Sequence, residues 1–423
     1  MPLQGFSLTE MSGGPHLGDQ AVLGAMRQGI PDEAIDAVIA EAGAQERRKR
    51  LLPARLVVSL VIGLGLWARD GVVDVLANLV DGLREQDPTP WRAWHPPVKS
   101  AVSQARQRLG VRPLFLLFRR LAGPVAPDGL PGAFLCGLRV MAIDGTTLDL
   151  PDTPENARAF GRPTTTLKDG TERPGPFPQV KLVWLVEVGT HVLCDVLTRP
   201  CATSEVPLAR RLLRSVEAGM LVLWDRGLHS YAMLRSTLEQ QAHFLGRVSK
   251  AVSLTPEELL PDGSFLTTLY PAADCRRSAA GILVRVIEYT IDDPARPRPD
   301  ERYRLVTSLL DPVQAPAATL AVEYHQRWEI ESTLDEFKVH QVDRRPAPHL
   351  RSRHPQAVVQ EIYGLVLAHR AIRCLMAEAA ARANLDPDRL SFTGTLRLLR
   401  RAIPRCQRAL ASPDASPFFL TAS

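Results

Sequence analysis

Apolar residues change their spacing several times along the chain, and each change marks a new kind of element. Between residues 31 and 109 they recur at helical spacing, which predicts helices over Pro31 to Ala44, Ala54 to Trp67, Gly71 to Leu83 and Val98 to Leu109. From Leu138 the spacing becomes alternation. Leu138 to Ile143 predicts a strand ending at Asp144-Gly145-Thr146-Thr147, in which Val140, Ala142 and Asp144 share a face. Val180 to Glu187 and His191 to Leu197, divided by Val188-Gly189-Thr190, predict a hairpin. A helix from about Ser204 to Val216 precedes Met220-Leu221-Val222-Leu223-Trp224, an unbroken apolar run that stops at Asp225-Arg226-Gly227. That is the pattern of a strand buried on both faces.

A helix (Ser230 to Gln241) and a strand (His243 to Val248) come next, followed by strands over Ser264 to Leu269, Ile282 to Ile291 and Tyr303 to Leu309. Helical patterning then returns from Tyr324 to Lys338, His354 to Ala383 and Ser391 to Ile403. Residues 151–178, rich in Pro, Thr and Gly, predict a long loop. Three antiparallel strands followed by helix, strand, helix, strand is the order of a ribonuclease-H-like fold. The expected organisation is α/β: a flexible lead (1–30), an all-α N-terminal domain (31–130), and a catalytic core (131–250 and 312–350). An all-β insertion (251–311) interrupts that core, and a helical C-terminal region (351–423) follows it.

Composition narrows the class only a little. Hydrophobic residues at 45% and charged residues at 23% of 423 are ordinary for a soluble globular chain. The longest apolar run, Leu56 to Trp67, is too short to span a bilayer and predicts a buried helix. Six scattered cysteines without C-x-x-C spacing indicate neither a zinc site nor a disulfide framework. With no basic, apolar leader, a cytoplasmic location is expected. The net charge of +5 favours a polyanionic partner weakly. Arginine outnumbers lysine 45 to six, but with 35 prolines that is equally the mark of a GC-rich genome.

Three acids stand out: Asp144 and Asp225 at strand ends, and Glu331 on the helix predicted from Tyr324. At about 100° per residue, Tyr324, Arg327, Glu331 and Lys338 fall within about 60° of one another, apart from an apolar edge of Ile330, Leu334 and Phe337. An acid between two cations and a phenol suits a metal-bearing carboxylate facing a polyanion, although many mixed-charge faces are only solvated. Asp149, Asp152, Asp195 and Asp335 compete for the acid roles. Ser, Gln and Arg on the helix from Val98, with Arg106 and Arg108, are residue types that read phosphates and base edges; a plain surface helix carries them too. No G-x-x-x-x-G-K-[ST] loop is present, so ATP use is not implied.

The spacing Y-x2-R-x3-E-x6-K, met by Tyr324, Arg327, Glu331 and Lys338, resembles the signature of the insertion-sequence-four family of bacterial DDE transposases. Ile143-Asp144-Gly145-Thr146 and Trp224-Asp225-Arg226-Gly227 resemble its first and second catalytic boxes. The resemblance implies Asp144, Asp225 and Glu331 as a catalytic triad holding two Mg2+ ions, with Mn2+ able to substitute. It selects Glu331 over Asp335. It makes Tyr324, Arg327 and Lys338 contacts to the DNA backbone, and Tyr303 the nearest candidate for stacking on a flipped base, against its reading as a core strand residue. The implied reaction cleaves DNA at terminal inverted repeats and joins the 3′-hydroxyl ends to target DNA, with a homodimer on paired ends. A nuclease of the same fold that does not join, or a non-catalytic DNA-binding regulator, are the other readings.

Overall fold

The computed structural model describes residues 29–48, 50–68, 70–86, 94–167, 169–271, 281–291, 302–326, 336–337 and 349–400. The expectations for residues 1–28 and for Arg327, Glu331, Asp335 and Lys338 lie outside the described residues. Four helices form near their expected limits: α1 (Asp32–Glu41), α2 (Ala54–Leu66), α3 (Val72–Gln86) and α4 (Lys99–Leu109). A fifth, α5 (Arg112–Leu121), occupies a stretch in which the sequence suggested no separate element. It buries Leu114, Leu117 and Phe118, which are spaced to share one helical face. Its proline lies in the first turn, where the missing N–H is not needed.

The strands are β1 (Phe134–Leu135), β2 (Leu138–Asp149), β3 (Thr164–Thr166), β4 (Glu172–Pro174), β5 (Gln179–Glu187) and β6 (Val192–Pro200). They continue as β7 (Met220–Trp224), β8 (His243–Arg247), β9 (Glu258–Leu259), β10 (Phe265–Leu269), β11 (Ile282–Tyr289) and β12 (Tyr303–Thr307). All but β3 and β4 join one sheet in the order β6-β5-β2-β7-β8-β12-β11-β10-β9, with β1 beside β2. β7 and β8 run parallel to β2, while β5 and β6 form an antiparallel meander on its other side.

Two expectations are corrected here. β2 does not stop at Asp144. Its parallel partner β7 pairs only as far as Ile143, but antiparallel β5 stays bonded to it out to Asp149. One hydrogen-bonded edge is enough to keep the strand extended. Nor is the stretch 151–178 a bare loop: it contains α6 (Pro154–Phe160) and the β3–β4 hairpin. Thr153 starts α6 by accepting the Asn156 amide at 3.2 Å, and Pro154 follows it.

The strands β9 to β12 extend the main sheet instead of forming a sheet of their own, because β12 pairs with β8. Arg285 of β11, fully buried, pairs with Asp262 and donates to Ser264 at 2.7 Å and to the Ala315 carbonyl at 2.6 Å. This ties the added strands to the chain just before α9 (Ala317–Gln326).

Helices cover both sheet faces. α7 (Glu205–Leu212) and α8 (Tyr231–Glu239) lie on one, and α9 lies on the other. The long α10 (Pro355–Ala383) shares a single apolar core with α1 to α5, with the far end of β2 and with one face of β5 and β6. α10 crosses α2 at very short range. A Cβ on Gly364 would overlap the Val61 carbonyl, and one on Gly65 would come within 2.9 Å of Ala368 Cβ. Among the described residues no helix is long and apolar enough to cross a membrane.

Candidate active site

Successive side chains of a strand point to opposite sheet faces. Met141, Ile143, Val183, Leu185, Val222 and Trp224 belong to the core under α7 and α8. The alternate set, Val140 and Ala142 of β2 with Leu221 and Leu223 of β7, packs with Leu320 and Tyr324 of α9. Asp144 and Asp225 are the next members of that second set. Register makes them neighbours as well. Ile143 pairs with Trp224, so one residue later Asp144 and Asp225 stand abreast on adjacent strands, about 4.8 Å apart between strand axes.

Each acid emerges from a rigid floor. β7 is buried throughout, and Asp225 keeps extended backbone angles (φ −82°, ψ 167°) before a tight turn begins. Its Oδ1 accepts the Arg226 amide at 2.6 Å; the Asp144 Oδ1 accepts the Gly145 amide at 2.7 Å. Both residues are partly exposed. A pair of hard oxygen donors on one face suits a divalent cation. Among the described residues no group of three or more His, Cys, Asp or Glu could hold a metal ion.

Residues 327–335, which carry Arg327 and Glu331, are bracketed by two anchors. Before them, Tyr324 is buried with its hydroxyl 3.5 Å from the carbonyl of Trp224, the residue preceding Asp225. After them, Phe337 packs edge-on against Trp184 with ring centroids 5.5 Å apart. Trp184 is the cross-strand partner of Asp144. The chain is thus tied beside one acid before the segment and beside the other after it.

Glu336 strengthens the second anchor. Its carboxylate accepts from Arg373 Nε at 2.9 Å and lies 3.3 Å from His369 Nε2, both on α10. His191, at the turn between β5 and β6, touches Arg373 and comes within 3.9 Å of Glu336. Burial raises the Glu336 carboxyl, but hydrogen bonds to His191 and His369 and the Arg373 charge overcome it, leaving it well below the usual carboxylate range.

Three of the residues expected at DNA have close protein neighbours. Tyr324 is 3% exposed, and its hydroxyl lies 3.5 Å from the Trp224 carbonyl of β7. Arg106 is 8% exposed and donates to Gln360 and Ser352 at 3.2 Å and to the Ala357 carbonyl at 2.8 Å. The side of α4 that bears Arg106 is covered by α10 and the chain leading into it. Tyr303 stacks on Tyr289, centroids 5.4 Å apart, and the Arg247 guanidinium lies 4.5 Å from its centroid. β12 runs between the strands that carry these two neighbours, which supports the core strand reading. Arg108 remains exposed on α4, with one N–H on the Leu52 carbonyl at 2.8 Å.

Three rival acids among the described residues are engaged elsewhere. Asp149 accepts from Gln179 at 2.8 Å and lies 3.4 Å from His349; Asp152 pairs with Arg162. Asp195 is fully buried and held by Arg119, Arg214 and Ser215.

A family profile described as a transposase DDE domain matches residues 136–370, over half of the chain. One described as the insertion element 4 transposase N-terminal region matches residues 20–119. The chain belongs to the insertion-element-4 family of DDE transposases. Among its relatives is the transposase InsG for insertion sequence element IS4 of Escherichia coli (strain K12). It is 30% identical over 398 residues, covering 92% of this chain and 84% of the relative. A putative transposase InsZ of the same strain is 29% identical over 215 residues, covering 50% of this chain and 66% of the relative. A cryo-EM structure of a piggyBac transposase synaptic complex with hairpin DNA is 13% identical with a TM-score of 0.47, covering 94% of this chain and 83% of that one.

In this transposase, sequence reasoning passed over Gly246, whose importance comes from a cross-strand neighbour. It pairs with Trp224 on β7, and a Cβ there would overlap the Trp224 indole. Trp224 is fully buried directly before Asp225, so neither partner has room to yield. Gly246→Val is expected to destabilise the fold by about 1–3 kcal/mol through overpacking. A chemical-denaturation curve measures this, and an unchanged midpoint would contradict the packing described.

Proposed function

We propose that this transposase cleaves DNA at terminal inverted repeats of an insertion sequence and joins the freed 3′-hydroxyl ends to target DNA. The observation that carries the proposal is the adjacency of Asp144 and Asp225 on one face of neighbouring parallel strands. The strand order, an antiparallel meander β6-β5-β2 extended by parallel β7 and β8, supports a ribonuclease-H-like core. Family membership implies divalent metal ions, and we take magnesium as the working ion. Asp144 and Asp225 would hold it, with Glu331 as the third carboxylate. When bound, two such ions would activate the attacking oxygen and stabilise the departing one.

The chain's own contribution is positioning. β2 and β7 hold the two aspartates on a sheet core that cannot splay. The anchors at Tyr324 and Phe337 hold both ends of the segment carrying Glu331. Arg327 and Lys338 are assigned to the phosphates beside the reacting end. On α4, Arg108 is exposed together with Ser103, Gln104 and Gln107, which suits backbone and base-edge contacts in a DNA-binding N-terminal unit. Two ends must meet for joining, so a homodimer on paired ends is proposed, working in the cytoplasm without ATP.

The decisive experiment uses full-length protein, Mg2+, a duplex ending in the repeat that borders the gene, and a supercoiled target plasmid. Covalent joining of the duplex 3′ end to the plasmid is the expected result. Cutting without joining would replace this proposal with a nuclease, and binding without cutting would replace it with a regulator.

A further inference from the structure

Asp144 and Asp225 have a third neighbour in register. β8 lies parallel beside β7, and its last residue paired there, Gly246, stands opposite Trp224. One residue on, Arg247 stands to Gly246 as Asp225 stands to Trp224. Alternation puts Arg247 on the same sheet face, since Leu245, two residues before it, packs with Leu221, Leu223 and Tyr324. Asp144, Asp225 and Arg247 therefore stand abreast on three adjacent strands.

Arg247 is also held in place. Its guanidinium lies over the Tyr303 ring, 4.5 Å from the centroid. Tyr303 is itself stacked on Tyr289, and Tyr289 Oη lies 2.9 Å from His325 Nε2 of α9. A guanidinium carries its N–H groups in one plane as a rigid fork. That geometry suits two oxygens of a phosphate. The added strands β9 to β12 thereby act on the candidate site, because the ring that seats Arg247 belongs to β12.

We propose that Arg247 is a further catalytic residue of this transposase, bonding the non-bridging oxygens of the phosphate that is cut over Asp144 and Asp225. The inference rests on the reading of those two acids as the cleavage centre. A cation there stabilises charge that builds on the phosphate as its bond breaks.

The test uses full-length protein, Mg2+ and the terminal-repeat duplex in single-turnover nicking. Arg247→Ala is expected to slow nicking by about 100-fold or more, the usual loss for one transition-state donor. It should retain most of the end binding, because one phosphate contact among many contributes a small part of the affinity. Free guanidinium should restore part of the Arg247→Ala rate, and Arg247→Lys should fall between the two. Nicking by Arg247→Ala at the parental rate overturns the proposal. So does a loss that tracks a lowered melting temperature, with neither guanidinium nor lysine giving rescue. Asp225→Asn run alongside separates the two claims. If it still nicks, the cleavage centre is elsewhere. If it is dead while Arg247→Ala is active, only the role of Arg247 fails.

Discussion

Asp225→Asn and Asp144→Asn are each expected to lower single-turnover nicking by about 10³-fold or more while leaving the fold intact. The substitution keeps shape and removes charge. Asparagine Oδ1 can still accept the Arg226 amide in the first variant and the Gly145 amide in the second, so the local backbone hydrogen bonds survive. What disappears is one anionic oxygen from a pair of neighbouring carboxylates, and with it several kcal/mol of stabilisation for the charged transition state. Because the two acids would act as a unit, the double variant should be hardly worse than either single one. Asp149→Asn, on the same strand but bonded to Gln179, should nick normally. A gel assay of end-labelled duplex with a circular-dichroism melt measures all four variants. Either single variant nicking within tenfold of the parent would remove the acid pair from the mechanism.

The second large effect concerns stability. Arg373→Met should cost about 3–5 kcal/mol, because it leaves the Glu336 carboxylate buried without its cation. Adding Glu336→Gln should recover a large part of that loss, since the uncompensated charge is then gone. Urea unfolding reads both; a single variant as stable as the parent would show that the pair contributes nothing.

The same cluster sets an acid limit. Glu336 is depressed in the folded state, so its contribution is present above its ordinary value of 4.5 and is lost as pH falls further. His369 is lowered by burial, so the fold favours its neutral form, and stability falls as pH drops below 6.5. His191 works the other way. Burial and Arg373 lower it, but hydrogen bonds to Asp388 and Glu336 prevail; its contribution is full below 6.5 and is lost as pH rises through the raised value. The two histidines thus oppose each other near neutrality, and Glu336 adds to the acid limb. Glu336→Gln should flatten stability against pH below 4.5.

Local patterning was a good guide wherever an element is decided by its own residues. The run Met220 to Trp224 is apolar on both faces and ends abruptly, so β7 and its terminal acid could be read directly. α2 was equally plain, since nearly all of its residues are buried. Patterning misled where a distant partner decides. Gly145 looks like the end of a strand, yet β5 carries β2 onward to Asp149. Arg106 looks like a surface cation, yet Gln360 and Ser352, about 250 residues away, enclose it. Tyr303 left two readings open in the sequence, a core strand residue or a partner for a base, and Tyr289 and Arg247 beside it favour the first.

Residue chemistry and spacing along the chain were enough to mark Asp144, Asp225 and the Tyr324 to Lys338 run, because a motif needs only local order. They could not show which acids meet, or that Arg247 joins them. Neighbours across a sheet are set by hydrogen-bond register between strands some eighty residues apart in sequence, and a slip of one residue would send every side chain to the opposite face. That register exists only once the core beneath it has packed.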